Sequence, residues 1–284
     1  MSLKISVVTP SFNQAKFIKE TIESVLSQNY PELEYLIVDG GSTDGTIDIL
    51  RQYDARLSWI SEPDKGQAQA INKGFKKNTG DIVAWLNSDD IYLPHALSTV
   101  AEFFSQHPHI DLVYGDFYII NQQSKILLRR KEIPFDFNIL LYGLDYICQP
   151  ATFFRCSIFE KIGYLDENLH YGLDWEYWLR LASHGCRLTL LPKYLAAIRW
   201  QPQAKTLIES PQLYAEHRTI RERYWDKHRF QSERWQQIYI IWLKNFYRLK
   251  RQGLKIISRH TLDFPPGYWM MKKEQVKDYS QSKK

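Results

Sequence analysis

The chain has 284 residues, enough for one large domain or for a domain with a smaller appendage. With 44% hydrophobic and 24% charged residues it has the composition of an ordinary soluble globular protein, and its net charge of +5 is too small to argue for nucleic acid as a partner. No apolar run approaches the roughly 18–20 residues that a membrane-spanning helix needs, and three cysteines, odd in number and without metal-ligand spacing, fit a reducing compartment with the thiols as small core residues.

The chain begins directly with a strand, Ile5-Ser6-Val7-Val8-Thr9, stopped by Pro10 and preceded by no secretory apolar region, so a cytoplasmic location is expected. Ile18, Ile22, Val25 and Leu26 line one face of a helix ending near Asn29-Tyr30-Pro31. Tyr35-Leu36-Ile37-Val38 reads as a buried strand running into Asp39-Gly40-Gly41-Ser42-Thr43-Asp44-Gly45, with a short helix after it to about Tyr53. A third strand spans Leu57 to Ile60, a third helix is marked by Ala68, Ile71 and Phe75, and a fourth strand, Ile82 to Leu86, delivers Asn87-Ser88-Asp89-Asp90. Strands alternating with helices of this length predict an α/β fold with a mostly parallel sheet flanked by helices on both faces. Ligands of such sheets bind at the carboxyl ends of the strands, where these polar clusters fall. Ile110 to Phe154 is less regular, a helix begins near Asp174, and Tyr214 to about His260 reads as long helical segments. We expect one α/β domain over residues 1–206, bearing the site, and a basic, aromatic helical extension with a flexible Lys-rich tail over residues 207–284.

The acidic residues at the strand ends carry the chemistry. The glycine-rich turn after Asp39 lacks the fingerprint G-x-G-x-x-G, and an acid there would repel a pyrophosphate. It suits a base N–H or ribose hydroxyls instead, while Asp44 reads as a cap for the next helix. Asn87-Ser88-Asp89-Asp90 sets carboxylates at the end of a buried strand with no basic residue beside them. Clustered acids of this kind call for a cation. Mn²⁺ or Mg²⁺ takes few protein oxygens and completes its shell from substrate phosphates, so Asp89 is the expected metal ligand. Asp90 is either a second acid of the site or a cap for the segment leading to Pro94.

Taken together, Val8-Thr9-Pro10-Ser11-Phe12-Asn13, Asp39 to Thr46, and Asn87-Ser88-Asp89-Asp90 resemble the family 2 glycosyltransferases of the GT-A fold, in order and in spacing. The resemblance covers roughly residues 4 to 206. It implies a GT-A, Rossmann-like domain and an inverting transfer of a sugar from a nucleotide-sugar donor, UDP-linked in our reading, to a glycan or lipid-linked hydroxyl acceptor. Thr9, Pro10 and Asp39 would then hold the nucleoside, with Asp39 on the uracil. Asn87-Ser88-Asp89 takes the place of the family's DxD motif, with Asp89 on the metal, and Asn87 and Ser88 beside the nucleotide sugar. Asn87 brings an amide where the family has a first Asp. Asp64-Lys65-Gly66-Gln67 is similar to a loop beside the nucleotide, where Lys65 either meets the diphosphate or is simply solvated.

Asp174 resembles the catalytic Asp of the family's Glu-Asp motif, with Leu173 in place of the Glu. A carboxylate there would remove the acceptor's proton as its oxygen attacks the anomeric carbon. The alternative is a helix N-cap. Trp175 and Trp178 would shape the acceptor site. Arg199 to Thr206 resembles a segment that often reads Arg-x-His-Pro; Gln201 stands at the His, and Lys205 is a further phosphate candidate.

Beyond His217, cations such as Arg221, Arg234, Lys244, Arg248 and Lys250 interleave with Trp235, Tyr239, Trp242 and Phe246. That pattern fits peripheral contact with an anionic membrane surface, or a helical pair packed on the catalytic domain with a solvated basic face. Two other activities compete. A nucleotidyltransferase would carry a Gly-rich, basic loop after the first strand, where Pro10-Ser11-Phe12-Asn13-Gln14 stands instead. A non-catalytic nucleotide- or glycan-binding homologue is consistent with Asn87, Leu173 and Gln201.

Overall fold

A computed structural model describes residues 2–201, 210–225 and 233–259, with side chains described from 238 onward in the last segment. Its centre is a nine-stranded sheet in the order β3-β2-β1-β4-β8-β6-β9-β5, with β7 paired to β6. The first half follows the alternation expected: β1 (Ile5–Ser11), α1 (Ile18–Leu26), β2 (Leu33–Asp39), α2 (Thr46–Arg51), β3 (Ser58–Ser61), α3 (Gln67–Lys77) and β4 (Ile82–Trp85). All three strand pairings among β3, β2, β1 and β4 are parallel. The chain steps outward from β1 to β3 and then returns to the other side of β1, which leaves a crevice at the carboxyl ends of β1 and β4.

The second half is mixed. It comprises β5 (Ile91–Tyr92), α4 (Ala96–Gln106), β6 (Leu112–Ile120), β7 (Ile126–Arg130), a π-helical turn at Ile139–Gly143, a 3₁₀ turn at Gln149–Ala151, β8 (Thr152–Arg155), α5 (Ile158–Ile162), α6 (Leu173–Ser183) and β9 (Leu188–Arg199). β8 lies antiparallel between β4 and β6, whereas β6 and β9 run parallel. The irregular stretch from Ile110 to Phe154 is therefore where the sheet changes direction.

β1 is buried along its whole length, because both faces of the sheet are covered. Ile5 and Val7 face a core with Ile18, Ile22, Leu50 and Leu97, while Val8 faces the opposite core of Ile71, Phe75, Trp85 and Trp178. Trp85 and Trp178 stack with ring centres 5.5 Å apart, fixing α6 against β4. Gly74 lets α3 approach the sheet: a Cβ there would sit 2.3 Å from Cγ1 of Val8. Cys148 and Cys186 are buried and Cys156 half-buried, all three as free thiols.

The C-terminal segment folds as helices, α7 (Pro211–Tyr224) and α8 (Glu233–Leu254), followed by a π-helical turn, Lys255–Arg259. α8 packs on the π-helical turn at Ile139–Gly143 through Tyr247, whose ring stacks on Tyr142 at 5.7 Å, and its Leu243 is buried. Glu132, buried beside β7, accepts from Arg251 Nη2 on both carboxylate oxygens, at 2.9 and 2.7 Å, and from Lys255 at 3.3 Å. Arg259 pairs with Asp116 on β6. Burial holds the Lys255 ammonium down, to about 8. One face of α8 thus packs on the sheet-bearing body, as one reading of the sequence expects. The opposite face leaves Ile241, Trp242, Phe246 and Leu249 exposed. No helix among the described residues is long and apolar enough to cross a membrane. The division between residues 206 and 207, Lys205, Arg229 and the Lys-rich tail lie outside the described residues, as do the side chains of Arg234 and Trp235.

Candidate functional site

The loops after β1 and β2 are sewn together by polar contacts. The Ser42 hydroxyl accepts from the Asn13 N–H at 2.7 Å, and Asn13 Oδ1 accepts from the Thr43 N–H at 2.9 Å. Asn13 takes a left-handed conformation, φ 52°, which its short polar side chain tolerates. Asp44 accepts from Ala15 N–H, from Thr46 N–H and from the Thr46 hydroxyl. It therefore serves the start of α2 and the neighbouring loop. Burial opposes its ionisation, but these hydrogen bonds prevail and keep its carboxyl below the usual range.

Asp39 is fully buried at the end of β2. Its Oδ2 accepts from Gly41 N–H at 3.0 Å, Ser42 N–H at 2.8 Å and the Ser61 hydroxyl at 2.7 Å, while among the described residues Oδ1 accepts only from the Ser42 hydroxyl, at 2.5 Å. The remaining acceptor capacity of the carboxylate is on Oδ1. Thr9 is buried with its hydroxyl 3.1 Å from that of Tyr35, and Pro10 is buried as well. What β1 offers a ligand is therefore its end: Ser11, whose buried hydroxyl has no partner among the described residues, and Phe12, 59% exposed. Neither was singled out from the sequence, where a Ser and a Phe after a strand carry no distinguishing signal.

The loop Asp64-Lys65-Gly66-Gln67 lies over these turns. A Cβ on Gly40 would come within 2.7 Å of an Asp64 carboxylate oxygen, and Lys65 is exposed. Gln67 donates to Asn87 Oδ1 at 2.7 Å, and Asn87 in turn donates to Asp90 and to Gln149 at 3.2 and 3.1 Å. The amide at position 87 thus braces the loop after β4 instead of presenting a charge. Ser88 is buried beside it.

Asp89 and Asp90 divide their roles. Asp90 is buried, accepts from Arg199 N–H at 2.9 Å, and receives the Thr21 hydroxyl on its main-chain oxygen, so it works inside the fold. Burial first, and then the Asp89 charge, push its carboxyl well above the ordinary range. Asp89 is partly exposed, and among described side chains only Gln201 engages its carboxylate, at 2.6 Å on Oδ2. Burial raises its pKa too. Arg199 neutralises neither carboxylate by direct contact. Its buried guanidinium donates to the main-chain oxygens of Asp89 and Asn121, to Ser124 and to Glu20. Among the described residues no three His, Cys, Asp or Glu side chains group as a metal site. A divalent cation here would have one protein carboxylate, Asp89, and would draw its other ligands from water and phosphate, a donor set that suits Mg²⁺ or Mn²⁺.

Asp174 lies in the first turn of α6, one residue inside it, so the N-cap reading does not hold: Gly172 is the cap. The end of α6 is instead closed by Glu216 of α7, whose carboxylate accepts from the N–H groups of His170, Tyr171 and Gly172 at 2.7 to 2.8 Å. Burial lifts the Asp174 carboxyl to about 6; the Trp175 N–H opposes the rise, and Glu216 adds to it. Asp145, just after the π-helical turn, interacts with Asp174 and is pushed further up by burial and by the Asp174 charge. The sequence reading missed Asp145, which lies in no motif. Leu173 points into the core, and Trp175 and Trp178 are buried, Trp175 bonded to the Leu140 main-chain oxygen at 2.9 Å. Trp178 therefore packs the core and lines no acceptor pocket. Through Gly66, whose Cβ would sit 3.9 Å from His170, the loop beside the donor crevice adjoins the start of α6.

The glycosyl transferase family 2 model matches residues 6–163. A PGL/p-HBAD biosynthesis glycosyltransferase of Mycobacterium tuberculosis is 33% identical over 191 residues, covering 65% of this chain and 72% of its own. An uncharacterized glycosyltransferase of Nostoc is 30% identical over 198 residues, and the match spans 65% of this chain but only 58% of that relative's length. Among solved structures, S. aureus TarS 1–349 in complex with UDP-GlcNAc superposes with a TM-score of 0.63 at 19% identity, covering 92% of this chain and 77% of that one. The mannosyltransferase PcManGT of Pyrobaculum calidifontis, in complex with GDP-Man and Mn²⁺, gives 0.62 at 18% identity, with 91% and 76% covered.

Proposed function

Given that the chain belongs to glycosyl transferase family 2, we propose that it transfers a sugar from a UDP-linked donor, with inversion, to a hydroxyl acceptor in polysaccharide or lipid-linked glycan synthesis. The observation that carries the reading is the presence of three carboxylates in three different environments around adjoining loops. Asp39 accepts hydrogen bonds from its own turn and from Ser61 and keeps acceptor capacity on Oδ1, suited to a base N–H. Asp89 is half-buried and, among the described side chains, is engaged by one amide, so it would hold Mn²⁺ or Mg²⁺, whose charge would stabilise the departing diphosphate. Asp174, with a pKa of about 6, is largely ionised at neutral pH yet basic enough to accept a proton in the transition state.

In this reading Phe12 stacks on the base, Thr9 and Pro10 shape the crevice through the main chain, and Asn87 and Ser88 hold the loop on which Asp89 sits. Lys65, exposed on the loop over the crevice, faces the diphosphate. Asp174 takes the acceptor proton as the acceptor oxygen attacks the anomeric carbon on the face opposite the nucleotide. One observation favours a second reading, a non-catalytic nucleotide binder: Gln201 already engages the Asp89 oxygen a cation would use.

Calorimetric titration of UDP, GDP and dTDP, with Mn²⁺ and with chelator, tests the donor site. We expect UDP alone to bind, in a metal-dependent manner, and Asp39→Ala and Asp89→Ala to lose that binding. No nucleotide binding under either condition would overturn the assignment, and UDP binding without any UDP release from a UDP-sugar would favour the non-catalytic reading.

We also assign the outward face of α8 to an anionic lipid surface. Ile238, Ile241, Trp242, Phe246 and Leu249 are 47 to 73% exposed on one side of the helix, with Arg248 and Lys250 exposed at its flanks. Apolar side chains bordered by cations are the pattern of an interfacial helix.

A further inference from the structure

Between α7, α8 and the start of α6 lies a group of cations that the transfer chemistry does not use. Arg221 is half-buried, with its guanidinium 5.4 Å from the Trp175 ring and its buried Nε without a hydrogen-bond partner among the described residues. Lys244 on α8 is half-buried as well, and Arg248, one turn further on, donates to the Gly143 main-chain oxygen at 3.2 Å. His217 packs its ring against Trp175 with centres 5.2 Å apart. Among the described residues, the charges of Arg221 and Arg248 bear on Lys244, and that of Arg248 bears on Arg221. Burial and mutual repulsion hold both Arg221 and Lys244 below their ordinary pKa values. Among the described residues the carboxylate that bears on the group is Glu216, through His217, and it is already occupied by three main-chain N–H groups at the start of α6. Partly desolvated cations facing one another are unfavourable unless an anion joins them.

We propose that Arg221, Lys244 and Arg248 form a binding site for a phosphate or diphosphate group carried by the acceptor. Three converging cations, two of them guanidinium groups, match a multiply charged oxyanion better than a single carboxylate. The donor's diphosphate belongs at Asp89 and Lys65, across the carboxyl ends of β1 and β4. Arg221 instead lies over the ring of Trp175, the residue next to Asp174, so in this reading the cations stand on the acceptor side. Assigning the anion to the acceptor rests on the transferase reading, whereas the existence of an anion site does not. The exposed apolar stripe of α8 continues from the same helix, so a lipid-linked diphosphate is one source of this chemistry and a soluble sugar phosphate the other.

The test is calorimetric titration of the full chain, saturated with UDP and Mg²⁺, using three probes: inorganic pyrophosphate, farnesyl diphosphate and farnesol. Pyrophosphate and farnesyl diphosphate should bind alongside UDP, and farnesol should not. Arg248→Gln and Lys244→Gln, both at positions that leave the core intact, should each weaken binding about tenfold. Arg221→Lys, which keeps the charge, should weaken it less than Arg221→Gln. Tighter binding of farnesyl diphosphate than of pyrophosphate supports a lipid-linked source; equal binding supports a soluble phosphate. Absence of pyrophosphate binding, binding unchanged in both Gln variants, or loss of bound pyrophosphate as UDP is added would each overturn the proposal. Failure of UDP itself to bind would strike the donor assignment and leave the result with pyrophosphate standing.

Discussion

Asp174→Asn separates catalysis from stability, because the property that makes Asp174 a useful base also costs the fold free energy. Its carboxyl is raised from 3.8 to about 6, chiefly by burial. The folded state therefore holds this proton more tightly than the unfolded chain does. Stability falls as pH rises from 3.8 to about 6 and stays lower above that. At 1.36 kcal/mol per pH unit the penalty is up to about 3 kcal/mol at neutral pH. Asn keeps the shape and the acceptor for the Trp175 N–H but never ionises. Urea unfolding at pH 7.5 should show Asp174→Asn more stable than wild type by about 1–3 kcal/mol, with the advantage gone below pH 3.8. The same variant should bind the donor normally and lose about 10²–10⁴ in transfer, followed as UDP release to an alkyl glycoside or water. In the wild type, transfer should fall on the acid side with a midpoint near pH 6, leaving roughly a tenth of the plateau at pH 5. A carboxyl with the ordinary value of 3.8 would leave the rate nearly flat over that range. Equal stability of the two proteins at pH 7.5, together with a flat acid limb, would refute the reasoning.

Other perturbations test other parts of the structure. Arg199→Met orphans the main-chain oxygens of Asp89 and Asn121 in a buried setting, and should cost about 2–5 kcal/mol in urea unfolding. Gly74→Ala gains helix propensity worth about 1 kcal/mol, but drives a methyl into Val8; a net loss of about 1–2 kcal/mol should appear as a lower urea midpoint. Leu249→Glu combined with Trp242→Ala should reduce flotation with vesicles containing anionic lipid by about tenfold, and high salt should weaken the wild-type interaction in the same assay.

Much of the donor side was legible in the sequence because it depends on local order. Periodicity located β1, β2, β4, α1 and α3, since an apolar run ending in a polar cluster has one meaning in a parallel sheet. Asp39 and Asp89 stand out because each ends such a run. The helical reading from Tyr214 to His260 agrees with α7 and α8 for the same local reason. Boundaries were less legible: α1 stops at Leu26, short of Asn29, where backbone pairing of the last turn ends before the turn residues begin. Trp178 was read as an acceptor wall and is instead a core residue stacked on Trp85, since an aromatic side chain in a helix is the same signal for either role.

The sequence alone determined which segments form the parallel half of the sheet, that acidic residues end two of its strands, and which family pattern they follow. Each of these depends on residues near one another along the chain. Only the tertiary structure decided what those residues face. It divided Asp89 from the buried Asp90, spent the Thr9 hydroxyl on Tyr35, and used Gln201 to reach Asp89. It set Asp145 against Asp174, laid Arg221 over Trp175 and brought Lys244 and Arg248 near enough to repel it or one another. Desolvation and charge–charge coupling act through space between segments far apart in the chain, so no local pattern encodes them.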